Sequence, residues 1–165
     1  MSFKMHRVHV WSGEVADEPG GIALKLAELA TSGANLEYVY TQRLLDKHGR
    51  GFVYVAPING AEEMKAAKDI GLTETQDPIV MRIEGDNDAG LAFRLTQEWA
   101  KAGINLHGTT LSVLGSRFVG YVTFDTVQDA NRAATILAEL GMAAAQEARA
   151  NGNHANGRKP AMAGH

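Results

Sequence analysis

The sequence predicts an α+β fold of two ferredoxin-like βαββαβ modules, each an antiparallel sheet with its helices on one face. Two observations lead to this prediction. Residues 19–36 recur as residues 89–106, displaced by 70 positions without a gap, so that Gly20 matches Gly90. Around each copy, hydrophobic residues alternate as in strands and then recur at helical spacing. A constant displacement of this kind indicates that one folding unit is duplicated.

Alternating side chains predict the first strand of each module. Residues 8–12 alternate between two faces as in a half-buried strand, and residues 79–83 do so in the second copy. Gly13–Ala16 are interpreted as a few extra residues that the first copy carries between its strand and the following loop.

An amphipathic helix follows the glycine-containing loop of each copy. Its apolar face consists of Ile22, Leu26, Leu29 and Ala30 in the first copy and of Leu91, Leu95 and Trp99 in the second. Gly33 and Gly103 should end these helices, because glycine adopts the left-handed cap conformation at little steric cost. Trp11 and Trp99 are expected to pack in a core or an interface.

A hairpin, a second helix and a last strand complete each predicted module. The hairpins join residues 36–44 to 52–55 through the turn 46–51, and 106–114 to 118–124 through Gly115-Ser116. The second helices are predicted at residues 60–70 and 127–140, ending at Gly71 and Gly141, with Asp125 or Thr126 capping the latter. The last strands are predicted at residues 72–76 and 142–146.

These elements place the first module at residues 4–76 and the second at 78–147, joined by a very short linker around residues 73–78. Residues 148–165 contain few large apolar side chains and many Asn and Gly residues. Such a segment cannot bury enough surface to order itself, so we expect a disordered tail.

Composition excludes several classes of function. The net charge of -3 argues against direct binding of nucleic acid, which needs clustered Lys and Arg. No stretch is long and apolar enough for a membrane span, and the N-terminus lacks an apolar signal core. The chain has no cysteine, which excludes disulfides, thiolate nucleophiles and Cys-based zinc sites and is compatible with a reducing compartment. We therefore expect a cytoplasmic protein without membrane attachment.

Catalytic and metal-binding patterns are also missing from the sequence. No nucleophile is set beside a base, and the Gly-Arg-Gly at residues 49–51 lies in a hairpin turn rather than between a strand and a helix. His6 and His9 are three apart on a strand and would point to opposite faces. The expectation is a protein that is not an enzyme and that holds no cofactor and no metal.

Two short motifs resemble the ACT family, in which an Asp-x-Pro-Gly-like loop precedes the first helix and Gly-x-Asn with an apolar residue follows it. Residues 17–20 and 33–36 match both motifs. Residues 87–90 and 103–106 match them again, with Asn87 in place of the acid and Ala89 in place of the proline. The chain is similar to stand-alone tandem ACT pairs, including glycine-cleavage regulators. That resemblance implies an amino-acid-like effector bound at module interfaces, a partner enzyme or regulator and, we expect, a homodimer.

The candidate ligand site follows from the same loops. Backbone N–H groups at a helix N-terminus suit a carboxylate, while Asp17 or Asp88 could pair with an ammonium group. Asn35 or Asn105 could orient the ligand backbone, and His107 could face the module interface. The predicted ligand-binding residues are Asp17, Glu18, Pro19, Gly20, Gly21, Asn35, Asn87, Asp88, Ala89, Gly90, Asn105 and His107.

Simpler structural roles are open for these residues. The glycines could serve only the turn, the two Asn residues could only cap the helices, and the acids could be solvated loop charges. The leading functional hypothesis is a non-catalytic, metabolite-sensing regulator that acts on a partner enzyme or regulator. The alternatives are a ligand-independent structural subunit that docks an enzyme through its sheet or helix faces and, since fold does not fix function, a small enzyme.

Overall fold

The structure, a computed structural model, describes residues 3–44 and 49–155 and contains strands and helices in two repeating groups. In chain order the elements are β1 (Phe3–Ala16), α1 (Gly21–Thr31), β2 (Tyr38–Arg43), β3 (Arg50–Ala56), α2 (Ala61–Asp69), β4 (Thr73–Asp86), α3 (Leu91–Lys101), β5 (Gly108–Leu114), β6 (Arg117–Phe124) and α4 (Val127–Ala155).

The strands form a six-stranded sheet in the order β2-β3-β1-β4-β6-β5. β3 pairs antiparallel with both β1 and β2, and β5 pairs antiparallel with β6. The chain divides into two compact units, which we call the first unit (Arg7–Val80) and the second unit (Met1–His6 with Met81–His165). Because β1 and β4 run through both units, each unit contains four strands, and the predicted α+β class with antiparallel, ferredoxin-like sheets is confirmed.

The first unit has the predicted βαββαβ order, with its strands arranged β2-β3-β1-β4. Its core joins Trp11, Val53 and Val55 of the sheet to Leu29 and Ala67 of the two helices, all of them buried. Trp11 lies directly opposite Val55 in the register of β1 and β3. The prediction that Trp11 packs inside the protein is confirmed.

The second unit takes one strand from the start of the chain. Its strand order is β1-β4-β6-β5, and the part of β1 that belongs to it ends at His6. The ring of Phe3 lies 6.1 Å from that of Phe118, and Lys4 Nζ lies 3.8 Å from Glu84 Oε1. The last strand predicted at residues 142–146 is therefore wrong: those residues are helical, and the N-terminal strand completes the sheet instead.

The helix α4 continues through Gly141 rather than ending there. A glycine inside a helix costs only about 1 kcal/mol relative to alanine, and Met142 is followed by three alanines, which have the highest helix propensity. Of the tail predicted as disordered from residue 148, residues up to Ala155 belong to α4. Residues 156–165 lie outside the described residues.

The two long strands, β1 and β4, show that two predictions are wrong: the extra residues before α1 and the linker between the modules. Gly13–Ala16 are not an insertion, since β1 runs without a break to Ala16 and has 14 residues, as β4 does. A Cβ atom on Gly13 would lie 2.5 Å from the carbonyl oxygen of Gly71, so a larger side chain does not fit at this point of β1. Residues 73–78, predicted as a linker, lie within β4.

The first helix of each module ends as predicted. Gly33 has φ 88° and Gly103 has φ 71°, the left-handed region that favours glycine. The Gly33 N–H donates to the Ala30 carbonyl at 3.0 Å, and the Gly103 N–H donates to the Ala100 carbonyl at 2.9 Å. The same backbone arrangement thus closes α1 and α3. Residues 46–48 of the predicted first turn lie outside the described residues.

The second unit has the larger aromatic core. Trp99 and Phe124 are buried, with ring centroids 6.2 Å apart and planes at 81°. The Trp99 indole N–H donates to the Ala133 carbonyl of α4 at 3.2 Å, which satisfies the polar atom of a buried ring. The prediction for Trp99 is confirmed.

Candidate functional site

A cleft of about 250 Å³ opens in the first unit beside the loop that precedes α1. We call Asp17–Gly20 the first helix-start loop and Asn87–Gly90 the second. Val15, Ile22 and Phe52 supply apolar walls to the cleft, and Asp17 and Arg43 are among its charged residues. Ile22 belongs to the predicted apolar face of α1 but is 37% exposed, because it borders this cleft rather than the core.

Glycines shape both helix-start loops. Gly20 precedes α1 with φ 92°, and Gly90 precedes α3 with φ 75°. A Cβ atom on Gly21 would lie 2.2 Å from the carbonyl oxygen of Ala16, so only glycine fits there without a shift of the backbone. These glycines set the path of the chain into the helix, which is the structural role that the sequence left open.

Asp17 and Arg43 form an ion pair at the cleft. Arg43 Nε lies 2.6 Å from Asp17 Oδ2, and Arg43 Nη2 donates to Asp17 Oδ1 at 3.1 Å. The Arg43 side chain is 72% exposed and that of Asp17 28%. An exposed pair of this kind contributes about 0.2–1 kcal/mol, so a ligand could separate it at small cost.

Some polar groups of the first loop are already bonded within the protein. The Asp17 N–H donates to the Gly49 carbonyl at 3.0 Å, and the Gly21 N–H donates to the Glu18 carbonyl at 3.1 Å. These two N–H groups are therefore not the donors that the sequence suggested for a carboxylate. Glu18 and Pro19 are exposed.

The second helix-start loop repeats the backbone hydrogen bond of the first, but its ion pair involves a different acid and a different arginine. The Asn87 N–H donates to the Ser116 carbonyl at 2.8 Å, which is the counterpart of the Asp17 bond. Asp88 Oδ2 lies 2.8 Å from Arg94 Nη2, and Arg94 Nη1 donates to the Ala89 carbonyl at 2.7 Å. Here the acid of the loop is held by an arginine of the following helix.

Residues that stand 70 positions apart can be compared directly, and those around the two helix-start loops differ. Asp17 corresponds to Asn87 and Arg43 to Val113, so the second loop lacks the ion pair found at the cleft. Arg94 corresponds to Leu24, which is 72% exposed. The two loops thus share a backbone frame but have different charges around it.

Asn35, Asn105 and His107 lie away from the loops. They follow the C-terminal ends of α1 and α3, and an 11-residue helix is about 16 Å long. Asn35 and Asn105 are exposed. His107 Nδ1 lies 2.9 Å from Asp125 Oδ1, with both side chains more than half exposed. The structure therefore does not bring these three residues together with Asp17–Gly21 or Asn87–Gly90.

Comparison with known proteins finds similarity in structure only. No protein-family model matches the sequence, and no curated protein does either. A protein from Bacteroides thetaiotaomicron has 14% identity and a TM-score of 0.65, covering 78% of this chain and 87% of that one. The regulatory subunit of aspartate kinase from Thermus thermophilus has 15% identity and a TM-score of 0.59, covering 84% and 96%. The subunit from Thermus flavus has 17% identity and a TM-score of 0.52, covering 82% and 95%.

This chain has the fold of these regulatory subunits. The predicted α+β, ferredoxin-like fold is confirmed by this similarity, because the alignments cover nearly the whole length of both Thermus subunits. At such low identity the similarity describes the fold and not the ligand.

Arg43 is the cleft residue that sequence reasoning missed. It stands at the end of β2, far in sequence from the motif in residues 17–20. In the structure Arg43 lies opposite Gly51 on β3, next to the turn whose Gly49 carbonyl accepts a hydrogen bond from the Asp17 N–H. Comparing the two copies would have shown that an arginine at this position is replaced by Val113.

Two further findings concern the whole of residues 3–44 and 49–155. Within these ranges, no group of three or more His, Asp or Glu side chains is arranged to hold a metal ion. None of the helices there combines the length and apolarity needed to cross a membrane.

Proposed function

We propose that the chain is a non-catalytic regulatory protein that binds a small amino-acid-like effector in the first unit and transmits binding to a partner enzyme or regulator. The observation that carries this proposal is the cleft beside the first helix-start loop, where Asp17 and Arg43 place opposite charges. A small metabolite with both charges has a partner for each at this position.

The size of the cleft supports a small effector. At about 250 Å³ it is slightly smaller than the roughly 300–1,000 Å³ of pockets that hold drug-sized ligands. The N-terminal end of α1 begins beside the cleft, and the positive end of a helix dipole favours an anionic group. A single metabolite with a carboxylate fits both properties.

The similar structures support regulation rather than catalysis. Two of them are described as regulatory subunits of aspartate kinase. By the resemblance to tandem ACT pairs, we expect this chain to act on an enzyme or regulator encoded apart from it. The cysteine-free sequence fits the reducing environment of the cytoplasm, where we place this activity.

Thermal unfolding in the presence of metabolites tests the proposal. An effector at 100 times its dissociation constant adds about 2.7 kcal/mol of apparent stability, so amino acids and related anions should include one that raises the melting temperature. Ile22→Trp should fill the cleft and abolish that shift, whereas Ala92→Trp, at the corresponding position of the second unit, should leave it unchanged. If no metabolite raises the melting temperature and native mass spectrometry detects none, the proposed function is wrong.

A ligand-independent docking subunit is the second candidate. It is favoured by apolar side chains that are unusually exposed, Leu24 at 72%, Phe93 at 65% and Leu114 at 84%. The same residues could support the expected homodimer. Sedimentation of the wild type and of Leu24→Ser and Phe93→Ser measures self-association. Stoichiometric capture of an enzyme whose affinity no metabolite changes would favour the docking subunit.

A further inference from the structure

Four aromatic side chains of the first unit form a continuous row, which we call the ring row: Phe52 and Tyr54 of β3 and Tyr40 and Tyr38 of β2. The ring centroids of Phe52 and Tyr54 lie 6.0 Å apart, and those of Tyr54 and Tyr40 lie 5.8 Å apart. The rings of Tyr40 and Tyr38 are stacked at 6.5 Å. Because β2 is the first strand in the order of the sheet, the ring row extends to a sheet edge.

The ring row lies on the face of the sheet opposite the core of the first unit. Val53 and Val55 of β3 belong to that core, and successive side chains of a strand point to opposite faces. Phe52 and Tyr54 therefore lie on the other face, and Tyr40 is directly opposite Tyr54 in the register of β2 and β3. Tyr40 is 39% exposed, and the other three rings of the row are partly exposed.

The second unit builds the same hairpin without such a row. Gly108 and Thr110 stand 70 positions after Tyr38 and Tyr40, and β5 pairs antiparallel with β6 as β2 does with β3. The fold of the hairpin therefore does not require aromatic rings at these positions of the edge strand. Tyrosine is enriched at binding interfaces, because its ring is apolar and its hydroxyl group forms hydrogen bonds. The difference between the units points to binding at the ring row.

The size of the ring row fits a narrow occupant. A fully buried aromatic side chain buries about 150–250 Å², so four partly exposed rings together offer roughly 200–300 Å². A stable pair of globular proteins buries about 800 Å² on each partner. One extended segment of a partner protein therefore matches the row better than a second copy of this chain.

The charges beside the ring row neutralise one another. The charged side chains on this face of β1 and β3 are Glu14 and Arg50, and they form an ion pair. Nucleic acids need clustered cations instead. Burial raises the pKa of Tyr54, and the neighbouring Tyr40 raises it further, so the Tyr54 hydroxyl group stays protonated and can donate to a carbonyl oxygen. The row thus suits an uncharged segment that presents carbonyl groups.

A proline-rich segment has these properties. Proline has no backbone N–H, and a polyproline II helix forms no internal hydrogen bonds, so its carbonyl groups can accept from hydroxyl groups while its rings pack on aromatic side chains. Residues two positions apart in this helix are about 6.2 Å apart along its axis, close to the spacing of neighbouring rings in the row. We propose that the ring row docks a proline-rich segment of a partner protein in the polyproline II conformation.

Titration of decaproline into the full chain, followed by nuclear magnetic resonance, tests this proposal. We expect saturable shifts of the backbone amide signals of Tyr38–Arg43 and Arg50–Ala56, with a dissociation constant of roughly 1 mM or below. A peptide of ten alternating glycine and serine residues is also uncharged, but it is flexible and has no rings. It should bind roughly tenfold more weakly or not at all.

Variants at the centre of the row locate the docking site. Tyr40→Thr introduces the residue found at position 110 of the second unit and should weaken decaproline binding roughly tenfold. Tyr40→Phe keeps the ring and loses the donor, so it should weaken binding roughly threefold. Leu114→Ser is the control, because it removes a side chain that is 84% exposed from the edge strand of the second unit and should leave binding unchanged. Circular dichroism spectra and melting curves check that every variant is folded.

Several results would overturn the proposal. Absence of saturable shifts, equal binding of the glycine–serine peptide, or full binding by Tyr40→Thr would show that the rings do not dock proline. Sedimentation in which Tyr40→Thr dissociates a wild-type dimer would assign the row to contacts between copies. Stronger shifts of the same signals by a ten-nucleotide single-stranded DNA would indicate base stacking. The effector cleft is tested by metabolites and by Ile22→Trp, so either proposal can fail without the other.

Discussion

The two helix-start loops are built on one backbone and surrounded by different side chains. In both, a glycine with positive φ precedes the helix, and a loop N–H donates to the turn of the neighbouring hairpin. Around that frame, the first unit has an exposed ion pair beside a cleft, and the second has an arginine folded over its own loop. Backbone geometry limits the glycine positions, whereas exposed side chains can change without loss of the fold. A duplicated backbone can therefore carry different charges in its two copies.

The same comparison extends into the sheet. In register with the two hairpin turns, Gly51 and Val53 of β3 correspond to Phe118 and Gly120 of β6. A Cβ atom on Gly51 would lie 3.0 Å from the Gln42 carbonyl oxygen, and one on Gly120 would lie 2.5 Å from that of Thr110. Each unit thus needs one small residue on this strand face, but at a different position. The two cores reach close packing by separate arrangements of large and small side chains.

The strongest test of separate cores is Trp99→Ala. It removes a buried ring and its hydrogen bond to Ala133, and should destabilise the second unit by about 3–5 kcal/mol. Trp11 is the remaining tryptophan and reports the first unit by fluorescence. Amide hydrogen exchange of α3 and β6 measures the loss in the second unit.

Trp99→Phe is the control for this prediction, because it keeps most of the buried ring and should cost less. If the Trp11 transition moves with that of the second unit by the same amount, the two units unfold together and the comparison of separate cores does not hold. If the unfolding transition reported by Trp11 does not change, each core has its own stability.

The internal repeat predicted α1, α3 and both hairpins because it carries the glycines and the helical spacing of each copy. The last strand of the second unit could not be predicted in this way. Its residues come from Phe3–His6, distant in sequence from Met81, and the local pattern at 142–146 had only weak strand character. Sequence periodicity reports which faces are apolar and leaves the choice of neighbouring strand to the folded chain.

Removal of residues 1–6 should therefore act on the second unit. It removes the Phe3 ring from Phe118, the Lys4–Glu84 ion pair and the backbone hydrogen bonds of a strand end. We expect a loss of about 2–3 kcal/mol, from one half-buried aromatic ring and a few hydrogen bonds. Faster amide exchange in Met81–Asp86 would confirm it, and faster exchange confined to the first unit would contradict the assignment of the strand. Phe3→Leu should lose only part of the effect.

Gly21→Ala tests the close approach of the start of α1 to Ala16, a residue that lines the cleft. The new Cβ atom would meet the Ala16 carbonyl oxygen, so the backbone must shift, at a cost of about 1–3 kcal/mol. In a chain that also carries Trp99→Phe, the fluorescence transition of Trp11 in urea measures this loss in the first unit. The second unit carries the larger Leu91 at the same repeat position, buried at 3% exposure, so the two loops differ in how closely the strand approaches the helix. Unchanged stability would mean that the carbonyl of Ala16 moves aside without cost.

The site could be predicted only in part. The motif in residues 17–20 located the loop, because a glycine with positive φ and a following helix have a clear sequence signature. The charges around that loop depend on Arg43, which the hairpin brings from β2, and they differ from those of the second unit, where Arg94 replaces Leu24. Asn35, Asn105 and His107 were predicted from a motif or from their position in the sequence. In the structure they follow the C-terminal ends of α1 and α3, away from the helix-start loops.

The smallest predicted difference concerns the starts of α2 and α4. At the start of α4, Thr126 Oγ accepts a hydrogen bond from the Asp129 N–H at 3.0 Å. The helix α2 instead follows Gly60, which has no side chain to accept such a bond, and the Glu63 carboxylate accepts from the Asn59 N–H at 2.7 Å. Thr126→Ala should destabilise the second unit by about 1 kcal/mol, while Thr126→Ser keeps the oxygen and most of the stability. Amide exchange in the first turn of α4 measures both. An equal loss in the serine variant would show that the methyl group of Thr126, and not its oxygen, stabilises the start of this helix.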